Sequence, residues 1–167
     1  IHNAWRAVTG RITLVQGRFS FEEFSDWLSL AATQQRYVLN LNHIERMNTL
    51  LSEAGFKRGL DAEHLRRSLS AGDHDYRFTL KFALDRLALG VAVPEHCVVN
   101  QTLSYADVQP DDFALVFKLV QIYQDFAARR DWLIQHELGQ SETVEFWLKQ
   151  LMQDVSEFQD AGVDVLA

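Results

Sequence analysis

Apolar residues recur along this chain at helical spacing, with polar caps and glycines between the runs. From about 2 to 15, Trp5, Val8, Ile12 and Val15 form one amphipathic stripe, and Gly17 marks its stop. Ser20-Phe21-Glu22-Glu23 has the form of a capping box, in which serine accepts from the third amide and the glutamate reaches back. It opens a second helix with Phe24, Trp27, Leu28 and Ala31 inward. Residues 32–41 show no decisive period. Asn42-His43-Ile44-Glu45 repeats the cap pattern and predicts a third helix, with Ile44, Met47, Leu50 and Leu51 as its stripe and Gly55 as its stop.

"GFKRGLD", from Gly55 to Asp61, is a glycine-bracketed connection into a short helix near 61–69. "SAGDHD" is a loop whose aspartates cap a helix over about 75–89 that ends at Gly90. The stretch 91–110 holds Pro94, Asn100, Ser104, Asp107 and Pro110; it reads as an irregular crossing in which "CVVNQTL" can pair as a short strand. Asp111 opens the longest helix, to about 136, with Phe113, Val116, Phe117, Val120 and Phe126 on one side. Gly139 ends it, and Ser141 caps a last helix striped by Val144, Trp147, Leu148, Leu151, Val155 and Phe158. The pattern predicts an all-α, or mostly α, single domain over 1–167, an irregular assembly of about six helices.

One run sets a problem in charge. In "KFALDRLALGVAV", Arg77, Lys81 and Asp85 make a polar stripe at i, i+4 and i+8, and Asp85 can answer Lys81. Arg86 points about 100° away from Asp85, toward the apolar side. Its partner must come from another segment, a carboxylate or carbonyls of the glycine-bracketed loop, and Asp61 is the expected neighbourhood. Arg86 and Asp61 are thus read as structural residues.

The composition fits a folded domain: 47% of the 167 residues are hydrophobic and 23% charged, with two prolines. Cys97 is the single cysteine, which excludes an internal disulfide and suits a reducing compartment. No apolar stretch reaches the roughly 18 residues of a membrane span, so a soluble, cytoplasmic chain is expected. The sequence opens on Ile1 with the first stripe already running, as an internal fragment of a longer chain would.

Net charge is −7, unevenly spread. Residues 57–86 hold seven basic and five acidic side chains, net +2, which leaves nine and eighteen, net −9, for the remainder. Overall charge opposes nucleic acid, while a local basic patch remains available. Arg66-Arg67 are candidates for a phosphate backbone or a partner surface, and Arg129-Arg130 read as a solvated pair. There is no phosphate loop, Rossmann fingerprint, His-Glu-x-x-His or G-x-S-x-G. Glu22-Glu23 are absorbed by the capping box. The six histidines are scattered; "DHD", Asp73 to Asp75, is their best local cluster and reads as a capped loop rather than a metal site. No catalytic residue, metal or cofactor is expected.

Several motifs together resemble a known family. "FALDRLALGVAV" is similar to the segment Trp-Arg-x-Gly-Leu-x-Arg-x-Leu-Leu-Gly-Tyr-Ala-Met of the gamma chain of exodeoxyribonuclease V, the RecC family. "SEAGFKRGLD", Ser52 to Asp61, resembles that family's Glu-Ser-Gly-apolar-Arg-Trp-Gly-apolar-Asp, in the same order and at a similar separation. "GRFSFEEFSDWL", "LVFKLVQIYQDFAARRDWL" and "TVEFWLKQLMQDV" look like further family segments, so the resemblance spans nearly the whole chain. Gly59, Asp61, Arg86 and Gly90 are retained, while the two motif tryptophans are Arg58 and Leu80 here.

The resemblance implies a subunit of a heterotrimeric helicase–nuclease that unwinds and degrades double-strand DNA ends and prepares them for homologous recombination. The gamma subunit keeps helicase-like folds without a working ATPase, and this stretch would correspond to a helical insertion of the 2B type. Implied partners are the beta and alpha chains and DNA, with Lys57, Arg58, Arg66 and Arg67 as the candidates for nucleic-acid or partner contact. A stand-alone helical protein-interaction or sensor domain is the competing reading; an independent hydrolase has no residue constellation behind it.

Overall fold

The structure is a computed structural model that describes residues 2–68, 75–92, 98–99, 102–103, 108–137 and 143–163. Among these lie eight α-helices and one two-stranded ribbon, so the all-α expectation holds with a higher helix count. The helices are α1 (His2–Gln16), α2 (Phe21–Leu28), α3 (Ala31–Tyr37), α4 (Leu41–Glu53), α5 (Ala62–Ser68), α6 (Leu80–Ala92), α7 (Phe113–Glu137) and α8 (Val144–Val163). Strands β1 (Val98–Val99) and β2 (Thr102–Leu103) pair antiparallel, Val98 opposite Leu103, within the stretch read as a possible strand. Asp73, His74, Cys97, Gly139 and Ser141, singled out from the sequence, lie outside the described residues.

Caps explain most helix starts. The Ser20–Glu23 box forms on α2 with both reciprocal bonds. On α4 the cap is Asn40, two residues before the expected Asn42: Asn40 Oδ1 accepts from the His43 amide at 2.8 Å, and His43 Nδ1 accepts from the Asn40 amide at 3.2 Å. The helix expected over 75–89 is split. Asp75 caps a 3-10 turn, Tyr76–Phe78, and Thr79 Oγ1 then accepts from the Phe82 amide at the head of α6. Gly90 is no stop; it is buried inside α6, which continues to Ala92. A helical glycine costs about 1 kcal/mol relative to alanine; the next residue, Val91, packs against the core.

The centre of the molecule is aromatic. Phe19 lies 5.6 Å from Phe24 and 5.0 Å from Phe126, and Trp27 closes on Phe126 at 4.7 Å, all four rings buried. Trp27 Nε1 donates to the Ala7 carbonyl at 2.8 Å, which satisfies the indole while locking α2 to α1. The crossing needs a small residue: a Cβ on Gly10 would stand 3.0 Å from Trp27 Cδ1. Around this hub α8 lies across α1 and α3, and α7 packs on α1, α4 and α6. Arg46 on α4 grips Asp112 with two bonds, 2.8 and 2.7 Å, and ties α4 to the head of α7.

Two expectations about faces are corrected. Phe117 is 68% exposed, because the buried side of α7 is set by Leu115, Val116, Leu119, Ile122 and Phe126. Arg129 and Arg130 are no solvated pair: Arg129 bonds Asp154 of α8 at 2.5 Å, with Arg11 of α1 3.5 Å from the same carboxylate. Arg130 turns to Asp61.

Candidate nucleic-acid interface

Three loops meet on one side of the molecule. Ser20 and Arg58 form an isolated antiparallel bridge, the Phe21 amide donates to the Lys57 carbonyl, and the Gly59 amide donates to the carbonyls of Phe19 and Arg18. The Lys57 and Arg58 amides donate in turn to the Phe78 carbonyl at 2.9 and 3.2 Å. Gly59 makes the crossing possible: its φ is +84°, and a Cβ there would lie 2.7 Å from Leu65 Cδ2.

This backbone weave gathers cations that are far apart in sequence. Arg18, Lys57, Arg58 and Arg77 come from its three strands of chain. Lys57 is exposed, with Nζ 4.6 Å from the centre of the Phe78 ring, a cation–π contact that leaves its charge outward. Arg77 is exposed and held by a two-pronged bond to Asp75, at 2.9 and 2.7 Å. That guanidinium, with the Arg77 amide and the nearby Arg58 charge, lowers the Asp75 carboxyl to about 2. Tyr76, the chain neighbour of Arg77, is 48% exposed, steadied edge-on against Phe82 at 5.5 Å. Cations interleaved with an open aromatic face suit a nucleic-acid strand, phosphates on the charges and a base on the ring.

Arg66 and Arg67 belong to a different feature. Both bond Glu63 on their own helix, Arg67 at 2.7 Å, so two cations share one carboxylate, whose pKa the Arg67 bond lowers. Arg67 also borders a cleft of about 460 Å³ with Val15, Gln16, His64, Arg130, Leu133 and Ile134. The four sequence candidates therefore separate into Lys57 with Arg58 in the weave and Arg66 with Arg67 beside the cleft.

Beneath the cleft lies a buried polar network. Asp61 caps α5 by accepting from the His64 amide at 2.9 Å; it also accepts from Arg130 Nη1 at 2.5 Å and from the Tyr123 hydroxyl at 2.8 Å. Burial works to raise its pKa, but these donors, Arg130 foremost, hold it below the ordinary carboxylate value. The Tyr123 hydroxyl is pushed up by burial and by Asp61. Burial lowers the pKa of His64; its Nδ1 accepts from the Leu60 amide at 3.3 Å and its Nε2 lies 3.1 Å from the Val15 carbonyl.

Of the two kinds of partner expected for Arg86, the structure shows the carbonyl at the glycine-bracketed loop. Arg86 Nη1 donates to the Ala54 carbonyl at 3.0 Å, at the entrance to the glycine-bracketed loop, while Asp61 is engaged by Arg130. A sequence signal for Arg130 existed: it stands four residues after Phe126 and three before Leu133, on the buried face of α7. Arg18 had no such signal, because it reaches the site only by the pairing of two loops forty residues apart.

Among the described residues no three His, Cys, Asp or Glu side chains converge as a metal ion requires, and no helix is long and apolar enough to cross a membrane. No curated protein matches the chain. One family model does, over residues 1–166, and it describes the fourth domain of RecC, a subunit of the RecBCD enzyme. With all but the final residue matched, and the motifs around Asp61 and Arg86 inside the match, the chain belongs to the RecC fourth-domain family.

Proposed function

We propose that this chain is a structural and DNA-channel module of the non-catalytic gamma subunit of exodeoxyribonuclease V, acting in double-strand break repair and homologous recombination. It works as a helical insertion of the helicase 2B type, in the cytoplasm, beside the beta and alpha chains. It carries no catalytic residue, metal or cofactor of its own. The observation that supports the DNA contact is the loop weave, which brings the chain at Arg18, at Lys57 and Arg58, and at the turn carrying Tyr76 and Arg77 together by backbone bonds in a protein of net charge −7. Local concentration of charge against the overall sign is what a backbone contact needs.

The test is fluorescence anisotropy on the intact gamma subunit with a tailed DNA duplex, titrated with salt. Lys57→Ala and Arg77→Ala should each weaken binding and lower the slope of log affinity against log salt by about 0.7–0.9, one phosphate contact apiece. Arg66→Ala should leave the slope unchanged. A slope that moves with Arg66 and Arg67 but not with Lys57 and Arg77 would transfer the contact to the cleft and refute this assignment.

A further inference from the structure

Helix α8 carries more apolar surface than the fold covers. Trp147, Leu151 and Phe158 turn toward the core. Val144, Leu148 and Met152 stand on the adjoining face and are 75%, 53% and 71% exposed. A spacing of four sets them in one row along about 12 Å of helix. Glu145 and Lys149, both exposed, border the row. A single exposed leucine needs no explanation, whereas a row of three on one helix is the mark of a contact surface.

The size of the row favours one occupant. Three such side chains expose on the order of 300 Å², under the roughly 450 Å² of apolar area within the ~800 Å² that each partner of a stable interface between free proteins buries. A second copy or a diffusing partner would gain too little from it. A neighbour on the same polypeptide is different, since tethering supplies a millimolar effective concentration and a small apolar contact then suffices. Membership in a fourth-domain family provides that neighbour, because a fourth domain shares its polypeptide with others.

We infer that the Val144–Leu148–Met152 row seats another domain of the same RecC polypeptide, through an apolar helix or sheet surface of that domain. The inference rests on the family membership and is independent of the DNA contact proposed above.

Methionine footprinting tests it, because the chain holds two methionines of opposite exposure, Met47 at 0% and Met152 at 71%. The intact gamma subunit, alone and dilute, is treated with hydrogen peroxide without DNA, and sulfoxide is followed at each methionine against the urea-unfolded subunit. Both residues should oxidise at least about tenfold slower than when unfolded. Leu148→Glu should return Met152 to near the unfolded rate and leave Met47 slow. Met152 reacting at the unfolded rate beside a protected Met47 would overturn the inference. So would protection that appears only when the other subunits are added, which assigns the row to them, or protection that grows with concentration, which assigns it to a second copy.

Discussion

Two carboxylates at the head of α5 have opposite fates. Asp61 is 8% exposed and receives Arg130, Tyr123 and the His64 amide. Glu63, two residues on, is partly open and holds Arg66 and Arg67 at the surface. Both would count as acid–arginine pairs in an inventory. The difference is solvent. Asp61 and Arg130 have given up hydration and depend on each other, and they fasten α5 to α7 from the inside. Glu63 and its arginines keep theirs, and water can replace any of them. A cation paired with a carboxylate is available to a partner only where that carboxylate is of the second kind.

Breaking the buried member should cost most. Asp61→Ala leaves Arg130 buried with only the exposed Asp131, 2.8 Å from its Nε, to answer it, and urea unfolding should show a loss of about 3–5 kcal/mol. Arg130→Ala should cost a similar amount, and the double variant less than the sum of the two, since each single change already sacrifices the other residue.

The comparison sharpens at Arg86, which is half-buried and gives a hydrogen bond to the Ala54 carbonyl. Arg86→Ala should cost roughly 1–3 kcal/mol by urea melts, the range for a charge-assisted bond to a partly buried acceptor. Arg66→Ala, whose side chain is 70% exposed, should melt with the parent protein. If Arg66→Ala destabilises as much as Arg86→Ala, exposure is not what separates the two kinds of pair.

The smallest effect is one of pH, on the same helix. Burial lowers the pKa of His64 below its ordinary 6.5, so the unfolded chain takes up its proton first. The contribution of His64 to stability is therefore complete above pH 6.5 and is lost as pH falls from there through the folded value. Asp61, also lowered, adds its own loss only as pH falls below 3.8. Urea midpoints measured from pH 7.5 to 5 should decline in the parent protein and stay flatter in His64→Gln.

What could be read from the sequence follows the range of the interaction. The Ser20–Glu23 cap, the Phe24, Trp27 and Leu28 face of α2 and the stripe of α4 are local and legible, whereas Ala31, expected on the α2 stripe, is exposed at the start of α3. α3 was not legible, because seven residues give barely two turns of period. The cap of α4 lies two residues before the one the pattern indicates, because Asn40 and Asn42 are both good caps and Glu45 completes the box pattern for Asn42 alone, while Leu41 between them is apolar yet 69% exposed. At the candidate interface Lys57 and Arg58 stood out in their motif, but their company with Arg18 and Arg77 depends on chain crossings that no local pattern encodes. Arg130 was within reach of the phase of α7 and was hidden only by reading it as one of a doublet.

The pairing of Arg11 with Asp154 has a consequence for the order in which the protein is made. Arg11 is 4% exposed in the first helix, and the carboxylate that answers it lies in the last. During synthesis α1 leaves the ribosome with an arginine set within its apolar stripe, and about 140 further residues follow before Asp154 emerges. Until then α1 cannot settle into its final bed without burying an uncompensated charge. Closure of the N-terminal half is thus deferred until the C-terminal helix arrives, and a nascent chain stalled before α8 would keep its first helix unsealed, as a substrate for chaperones and proteases.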